Sequence, residues 1–177
     1  VNDSREARRL AEHGIDVLSE AVAASQLASD EILVRSSAIS PENRVYAAAQ
    51  ACGMQILHRS DVLAQIASRH FLIAVAGTHG KTTTTGMIGY VLAQLGLVPT
   101  IYVGGRILGF DDLFPPYGPG RPSVNGRPVM VLETDESDRS FLKFHPDVGI
   151  VTNVDEDHLG AYGGSFQQLV RAFEQFC

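Results

Sequence analysis

The sequence predicts an α/β fold in which strands and helices alternate. Three observations support this prediction. Short apolar runs alternate with amphipathic segments along the chain, residues 71–76 (FLIAVA) are continuously apolar, and a glycine-rich segment follows that run directly. A continuously apolar run is typical of a parallel strand that is buried on both faces of its sheet. Alternation of the two kinds of element indicates a layered α/β architecture.

Composition narrows the class of protein. The chain has 177 residues, of which 45% are hydrophobic, so it is long and apolar enough to bury a core. The net charge of −6 and the lack of a basic run argue against nucleic acid or an anionic membrane as a partner. The run at 71–76 is far shorter than the roughly 20 residues of a membrane-spanning helix. Cys52 and Cys177 give no disulfide framework, which predicts a reducing, cytoplasmic location.

The first part of the chain shows the usual signals of helix ends. Side chains that cap helix N-termini, glycines that end helices and a proline suited to a first helical turn separate the apolar runs. Cys52 lies on an alanine-rich helix and is predicted to be a small buried side chain. The predicted elements are a helix from the capping residues Asn2, Asp3 and Ser4 to His13, closed by Gly14; strands at 15–18 and 31–36; a helix at 42–52 that begins near Pro41; a strand at 55–57; and a helix that Ser60 caps and that ends near Arg69.

The second part begins with the strand at 71–76. A helix at 83–95 follows, with an apolar face predicted to pack on the sheet and with Gly86 and Gly89 allowing close approach. Residues 104–128 hold six glycines and five prolines, which predicts a long exposed loop. Strands are predicted at 100–103, 129–132 and 148–152. Ser165 and Gln168 form a capping box for a last helix. The predicted inner residues are Met87, Ile88, Val91, Leu92 and Leu95 on the first helix, and Phe166, Leu169, Val170, Phe173 and Phe176 on the last.

The segment GTHGKT at 77–82 predicts a phosphate-binding loop. Its glycines let backbone N–H groups turn toward an anion, and the following helix adds the positive end of its dipole. Lys81 is expected to reach the β- and γ-phosphates, and the Thr82 hydroxyl to ligate Mg²⁺. Val75 stands where the common nucleotide-binding loop has its first glycine, so the loop is a shortened form. A mere glycine-rich turn with a solvated lysine is disfavoured by the strand–loop–helix context.

Acidic residues follow two of the predicted strands. One group is Glu133, Asp135, Glu136 and Asp138, and the other is Asp155, Glu156 and Asp157 with His158. Ligands of parallel sheets bind outside the carboxyl ends of the strands, so both groups are expected near the loop. Carboxylates and hydroxyls suit Mg²⁺. Function is favoured for Glu133, whereas a solvated role is equally good for the other three of its group. The remaining histidines at 13, 58, 70 and 145 are interpreted as structural or exposed.

Taken together, these segments resemble the Mur ligase family. The matching pieces are AVAGTHGKTTTT at 74–85, YVGGR at 102–106, ETDESDRSFL at 133–142 and VTNVDEDHLGAYGG at 151–164, with RSSAI at 35–39 and ILHRSDVLAQI at 56–66 upstream. The likeness is greatest to the members that add L-alanine to UDP-N-acetylmuramate. It implies the C-terminal part of a Rossmann-like UDP-sugar domain at 1–58, a connecting helix at 59–70, and the first part of a central ATP-binding domain at 71–177.

The resemblance also implies roles for individual residues. ATP and Mg²⁺ are the expected cofactors, and the implied reaction activates the muramate carboxylate as an acyl phosphate before the alanine amine displaces phosphate. Lys81, Glu133 and His158 are the expected catalytic residues, and Ser36 and Ser37 are expected to contact the UDP-sugar. The expected metal ligands are Thr82, Glu133 and His158. The expected nucleotide-binding residues are Gly77, Thr78, His79, Gly80, Lys81, Thr82, Thr83 and Asn153.

Some family features are missing from these residues. The glycine-rich loop that binds the UDP-sugar, the adenine-contacting segment and the amino-acid-binding domain are not found, so we expect an internal fragment without ligase activity of its own. Thr134 replaces a usual alanine, which is a mild change. Three alternatives stay open: a nucleotide-binding remnant without catalysis, a sibling ligase that attaches a recycled peptide to the same sugar and, least favoured, an ordinary P-loop nucleoside triphosphatase.

Overall fold

A computed structural model describes residues 4–105, 107 and 123–177 of the chain. The chain divides into two compact units, Val1–Val62 and Leu63–Cys177. Both contain parallel strands and helices, which confirms the α/β prediction. Every helix that the structure describes is too short or too polar to span a bilayer.

The first unit is built around two parallel strands. Strand β1 (Ile32–Arg35) pairs with β2 (Gln55–His58), with Ile32 opposite Gln55 and Arg35 opposite His58. Three helices of this region follow a residue whose side chain accepts a backbone N–H, which satisfies a donor at the helix N-terminus. The elements of this region are α1 (Arg5–Glu12), α2 (Glu20–Gln26), β1 (Ile32–Arg35), α3 (Arg44–Ala51), β2 (Gln55–His58) and α4 (Arg59–Ala67), the last of which continues into the second unit.

The predicted strand at 15–18 is wrong. These residues form no strand, and Ile15 and Leu18 are about half exposed. A helix that was not predicted, α2, follows instead, because the Ser19 hydroxyl accepts from the N–H of Val22. The Glu20 carboxylate then accepts from the N–H of Arg44, which ties α2 to the start of α3. That second contact lies 24 residues away and is invisible to a local pattern.

Helices α3 and α4 begin at residues other than those predicted. Helix α3 begins after Asn43, whose side chain accepts from two backbone N–H groups, so Pro41 lies outside the helix. Helix α4 begins one residue before Ser60, whose hydroxyl lies 2.6 Å from Nδ1 of His58 rather than capping the helix. The predicted burial of Cys52 is also wrong, because this residue is exposed at the end of α3.

The second unit is built around a sheet of four parallel strands. Their order across the sheet is β4 (Thr100–Tyr102), β6 (Arg127–Glu133), β3 (Phe71–Ala76) and β7 (Val148–Val151). A short strand, β5, joins β6 in an antiparallel hairpin. Asn125 and Gly126 form the turn of this hairpin, both with positive φ, so an Asn-Gly pair carried a hairpin signal that the prediction did not use. The elements are β3 (Phe71–Ala76), α5 (Lys81–Gln94), β4 (Thr100–Tyr102), β5 (Ser123–Val124), β6 (Arg127–Glu133), β7 (Val148–Val151) and α6 (Phe166–Phe176).

One face of this sheet carries the main apolar core. Phe141 is fully buried in a short 3-10 turn, with its ring centre 5.1 Å from that of Phe173 and 5.5 Å from that of Phe176 on α6. Leu169 is fully buried too, and Ser165 caps the helix as predicted by accepting from the N–H of Gln168. Ala172 rather than Val170 completes the buried stripe of α6.

Helix α5 buries only part of the apolar face that the sequence predicted. Ile88 and Leu92 are half-buried, whereas Met87, Val91 and Leu95 are 64%, 54% and 72% exposed. The fully buried residues of α5 are instead Thr85, Gly86 and Gly89. Gly86 allows a close contact, since a Cβ there would lie 2.9 Å from Cδ1 of the Ile107 side chain. Arg106 and residues 108–122, most of the predicted long loop, lie outside the described residues, as do the predicted caps Asn2 and Asp3.

An ion pair closes the end of the sheet where β3, β6 and β7 begin. The Asp147 carboxylate accepts from the buried N–H of Leu72 at 2.8 Å and from the Arg127 guanidinium, which also donates to the His70 carbonyl. The bond from Leu72, together with Arg127, lowers the pKa of Asp147 below its ordinary 3.8. A lowered pKa stabilises the fold above the unfolded value, and this contribution is lost as pH falls through the folded value.

We expect Asp147→Asn to lower the free energy of unfolding at pH 7 by about 1–2 kcal/mol, because a charge-assisted bond to a buried N–H is weakened. The difference in the free energy of unfolding between wild type and this variant should shrink as pH falls below 3.8, because the wild-type Asp147 carboxylate also becomes protonated. Urea denaturation at pH 7 and at pH 3 measures both values. Asp30→Asn removes an exposed carboxylate and serves as the control. Equal deficits at the two pH values would contradict this account.

Strand β7 pairs with β3 on one side only, among the described residues. Val148 on this strand is 41% exposed, and an edge strand offers unpaired backbone groups to another chain. We therefore expect the chain to self-associate as its concentration rises. Size-exclusion chromatography with light scattering over a range of concentrations measures this, and Val148→Lys should reduce it. A monomer that persists at high concentration in both proteins would contradict the prediction.

Candidate functional site

The predicted site residues of the second unit meet at the carboxyl end of its sheet. In the parallel register, Val75 of β3 lies opposite Glu133 of β6, and Ala76 lies opposite Val151 of β7. The chain leaves all three strands at the same edge. The glycine-rich loop, the first acidic residue and the Asn153 segment are therefore brought together by the pairing itself, as the sequence predicted.

Asn153 holds the loop in place. Its side-chain oxygen accepts from the N–H of His79 and its amide donates to the His79 carbonyl, each at 3.0 Å. Its backbone oxygen accepts from the N–H of Thr78 at 3.1 Å. The Thr78 hydroxyl in turn accepts from the N–H of Asp155, and the Thr152 hydroxyl donates to the His79 carbonyl at 2.7 Å. The segment after β7 thus fixes the shape of the loop.

Gly77 is required by this close approach. It has φ +136°, and a Cβ placed on it would lie 2.1 Å from the Thr152 hydroxyl and 3.0 Å from the Asn153 carbonyl oxygen. Gly80 has φ +79° and a Cβ there would meet no atom within 4 Å. The first glycine is therefore enforced by packing, whereas the second is favoured by backbone conformation and leaves open space above the loop.

Helix α5 begins at Lys81, two residues earlier than predicted, with Gly80 as its N-cap. Among the described residues, no side chain caps the N-terminus of α5, so the N–H groups of its first turn face the loop without a side-chain acceptor there. Thr83 is exposed on this first turn. The arrangement presents backbone donors and the positive end of the helix dipole to the same space, which suits an anion such as phosphate.

The Lys81 ammonium lies across the loop. Its Nζ donates to the carbonyl of Gly77 at 2.6 Å and to that of Thr78 at 3.2 Å. It also donates to Oε1 of Glu136 at 2.9 Å, and Oε2 of the same carboxylate lies at an equal distance. The Lys81 side chain is 16% exposed and that of Glu136 is 2% exposed. The pair is a buried bridge between the loop and the segment after β6.

Glu136 is fixed through its backbone. Its carbonyl accepts from the hydroxyl of Tyr162 at 2.6 Å, and the Arg139 guanidinium lies 5.3 Å from the centre of the Tyr162 ring. Tyr162 is fully buried, and burial raises its pKa to about 12, so it stays a neutral donor. The buried hydroxyl of Thr134 also has a hydrogen-bond partner, because it donates to the Val75 carbonyl.

Thr82 and Glu133 meet on the other side of the loop. The Thr82 hydroxyl donates to Oε2 of Glu133 at 2.8 Å, and the N–H of Gly104 donates to the same oxygen at 3.2 Å. A hydroxyl and a carboxylate within one hydrogen bond of each other offer two hard oxygen ligands beside the loop. These two oxygens fit the ligand preference of Mg²⁺.

His158 lies in the segment after β7, and its side chain contacts that of the neighbouring Asp157. His158 has φ +55°, its side chain is half exposed, and its Nε2 lies 3.6 Å from Oδ2 of Asp157. Within the described ranges, no three His, Cys, Asp or Glu side chains converge on one point. Asp135 and Asp138 accept from the backbone N–H groups of Ser137 and Ser140, which is a local turn-forming role.

Ser36 and Ser37 belong to the first unit and follow β1 at its carboxyl end. The Ser37 hydroxyl lies 3.0 Å from Nε2 of His58, the last residue of β2. The two parallel strands therefore present polar side chains at a common edge, where ligands of such sheets bind.

Sequence reasoning undervalued two residues. Glu136 could not be separated from its acidic neighbours, because burial and contact with Lys81 are set by how the chain turns after β6. Asn153 is predicted to bind nucleotide, whereas in the structure its side chain anchors the loop at His79. The sequence signal for this role is a polar residue two positions beyond a parallel strand.

Both parts of the chain match profiles of one protein family. The Mur ligase middle-domain profile matches residues 75–177, and the profile for the catalytic domain of the Mur ligase family matches residues 1–71. UDP-N-acetylmuramate–L-alanine ligase of Thermosynechococcus vestitus is 47% identical over 144 residues, covering 81% of this chain and 28% of that protein. The same enzyme of Symbiobacterium thermophilum is 43% identical over 173 residues, covering 98% and 34%.

Solved structures give the same result. The UDP-N-acetylmuramate–alanine ligase of Thermotoga maritima is similar with a TM-score of 0.80 at 29% identity, over 99% of this chain and 39% of that one. A ligase from Neisseria meningitides, which joins UDP-N-acetylmuramate to L-alanyl-γ-D-glutamyl-meso-diaminopimelate, gives 0.78 at 25% identity, over 97% and 56%. The chain spans about a third of the length of the curated relatives above. Since the middle-domain profile alone covers more than half of its residues, the chain belongs to the Mur ligase family.

Proposed function

We propose that this chain supplies the ATP-phosphate site of a ligase that joins L-alanine to UDP-N-acetylmuramate in peptidoglycan synthesis. The observation that carries the proposal is the meeting of Thr82 and Glu133 beside the loop, 2.8 Å apart. The names and 40–47% identities of the curated relatives support alanine as the amino acid. The proposal includes a cytoplasmic location.

The phosphates of ATP fit the space above Gly80. The backbone N–H groups at the start of α5 would donate to phosphate oxygens, and Lys81 would supply a positive charge from the side of the loop. ATP would supply a phosphoryl group that turns the muramate carboxylate into a better acyl donor. Lys81 would stabilise the charge on the transferring oxygens, and Asn153 would keep the loop from collapsing into the space.

Magnesium fits the neighbouring oxygen pair. Thr82 and Glu133 would bind it from the protein side, and its positive charge would offset repulsion between Glu133 and the phosphates. Thr82 would then turn its lone pairs to the metal in place of donating to the carboxylate. We further propose that His158, in the segment after β7, is a ligand of a second magnesium.

The domain boundaries are part of the proposal. Residues 1–58 would be the later part of a UDP-sugar domain with Ser36 and Ser37 near the sugar nucleotide, 59–70 the connecting helix, and 71–177 the first part of the ATP domain. A second candidate, the sibling ligase that attaches a peptide to the same sugar, is supported by the Neisseria structure. Its 25% identity is lower than the 40–47% of the alanine-adding relatives.

Calorimetric titration with ATP, with and without Mg²⁺, tests the site. We expect the wild-type chain to bind MgATP more tightly than metal-free ATP, and Glu133→Gln to abolish most of that difference because a metal ligand has lost its charge. Glu174→Gln makes the same chemical change on an exposed part of α6 and should behave as wild type. An unchanged magnesium effect in Glu133→Gln would remove Glu133 from the metal site.

A chimera separates a ligase from a remnant. Residues 1–177 would replace the matching segment of the Symbiobacterium relative, which is 43% identical. We expect the purified chimera to form UDP-N-acetylmuramoyl-L-alanine with release of phosphate. A folded chimera that binds ATP and forms no product would favour the nucleotide-binding remnant.

A further inference from the structure

All three N–H donors of the Lys81 ammonium are engaged within the protein. Two of them go to the carbonyls of Gly77 and Thr78 and the third to Oε1 of Glu136. An ammonium has no further donor to offer. A phosphate that binds through Lys81 must therefore take the place of one of these acceptors.

Of the three acceptors, Glu136 is the one that depends most on its contact with Lys81. Its carboxylate is almost completely buried, and Lys81 is its cationic partner at 2.9 Å. Oε2 is buried and lacks an aligned donor, although it lies 2.9 Å from the ammonium nitrogen. A buried carboxylate in this state is destabilised by any weakening of its contact with the lysine.

Glu136 also cannot follow the lysine far. Its carbonyl is bonded to the buried Tyr162 hydroxyl, and the preceding carbonyl of Asp135 accepts from the N–H of Phe141 and from the Ser140 hydroxyl. Phe141 lies at the centre of the apolar core. The carboxylate is thus held by a rigid segment, while the ammonium is at the end of a flexible side chain.

We propose that Glu136 is a latch that holds Lys81 across the loop in the free protein and gives the ammonium up to phosphate when a nucleotide binds. The proposal rests on the proposed function, because it assumes that the loop binds phosphate. Phosphate and Glu136 are both anions, so they compete for the same cation. The latch neutralises Lys81 in the free protein, and its release is a cost that lowers the affinity for nucleotide.

The first test removes the charge of the latch and keeps its shape. We expect Glu136→Gln to bind ATP about tenfold more tightly than wild type, since one charge-assisted hydrogen bond no longer has to be exchanged. Asp138→Asn removes a carboxylate two residues away that does not bond to Lys81, and it controls for the net charge. Equal or weaker binding of ATP by Glu136→Gln than by Asp138→Asn would overturn the latch.

Glu136→Asp provides a second variant. It keeps the negative charge and withdraws the carboxylate by one methylene, so a smaller gain in affinity is expected. Thermal melting followed by circular dichroism verifies that each variant is folded. If Glu136→Gln does not fold, the test rests on Glu136→Asp. An affinity of Glu136→Asp for ATP that is equal to or below that of wild type then overturns the proposal.

Amine acetylation without nucleotide separates this proposal from the proposed function. The chain has only two lysines, Lys81 and Lys143, so peptide mass spectrometry reads both. We expect Lys81 to be acetylated several-fold faster in Glu136→Gln than in wild type, with Lys143 unchanged. If no protein binds ATP but this difference is found, the nucleotide proposal fails and the contact between Glu136 and Lys81 stands. If ATP binds and the rates for Lys81 are equal, the latch fails.

Discussion

Lys81→Ala is expected to weaken ATP binding by about a hundredfold, because it removes the side-chain cation of the loop and its bonds to phosphate oxygens. It also leaves Glu136 buried without its partner at 2.9 Å. Loss of one member of a buried ion pair destabilises a fold by about 3–5 kcal/mol. A loss of binding in this variant alone could therefore reflect unfolding.

A double variant separates the two effects. Lys81→Ala with Glu136→Gln removes the unpaired charge, so we expect the free energy of unfolding to recover most of the loss while ATP binding stays weak. Lys143→Ala removes the only other lysine and is the matched control. Isothermal calorimetry and urea denaturation measure the two quantities. Near-wild-type affinity in the folded double variant would show that Lys81 does not bind phosphate.

Gly77→Ala is expected to have the second large effect. The new Cβ would lie 2.1 Å from the Thr152 hydroxyl and about 3 Å from Asn153, so the loop and the segment after β7 must separate. Asn153 then loses its bonds to the loop at His79 and Thr78. We expect ATP binding to be lost and the free energy of unfolding to fall by about 2–4 kcal/mol.

Gly80→Ala is the matched control for this prediction. Gly80 also has positive φ, at +79°, but a Cβ there meets no atom within 4 Å. Its cost should be limited to the left-handed backbone, about 1–2 kcal/mol. Urea denaturation of both variants gives the comparison. If the two substitutions lower the free energy of unfolding equally, close packing of Gly77 against the segment after β7 is not what the loop requires.

The local patterns that held are those whose cause is local. The apolar run at 71–76 became a central strand, the glycine-rich loop after it joined strand to helix, and Ser165 capped the last helix. Each depends on the preferences of a few adjacent residues. The resemblance to the Mur ligases rested on such segments as well, and the profiles that match 1–71 and 75–177 confirm it.

The predictions that failed needed contacts distant in sequence. Residues 15–18 had a strand-like run but form no strand, and α2 is held by the Glu20 carboxylate, which accepts from the N–H of Arg44. On α5, five apolar residues were predicted to face the sheet, yet the fully buried residues are Thr85, Gly86 and Gly89. Hydrophobicity alone cannot choose between two faces when one of them allows the backbone to approach more closely.

The sequence by itself determined the α/β class, the glycine-rich loop with Lys81 and Thr82 between a strand and a helix, and the acidic group after β6. Only the tertiary structure decided the partners: Glu133 for Thr82, Glu136 for Lys81, and Asn153 for the loop. The physical reason is that parallel register brings strand ends from distant parts of the chain to one edge. Burial then separates one carboxylate from its neighbours, and neither effect is encoded in the spacing of adjacent residues.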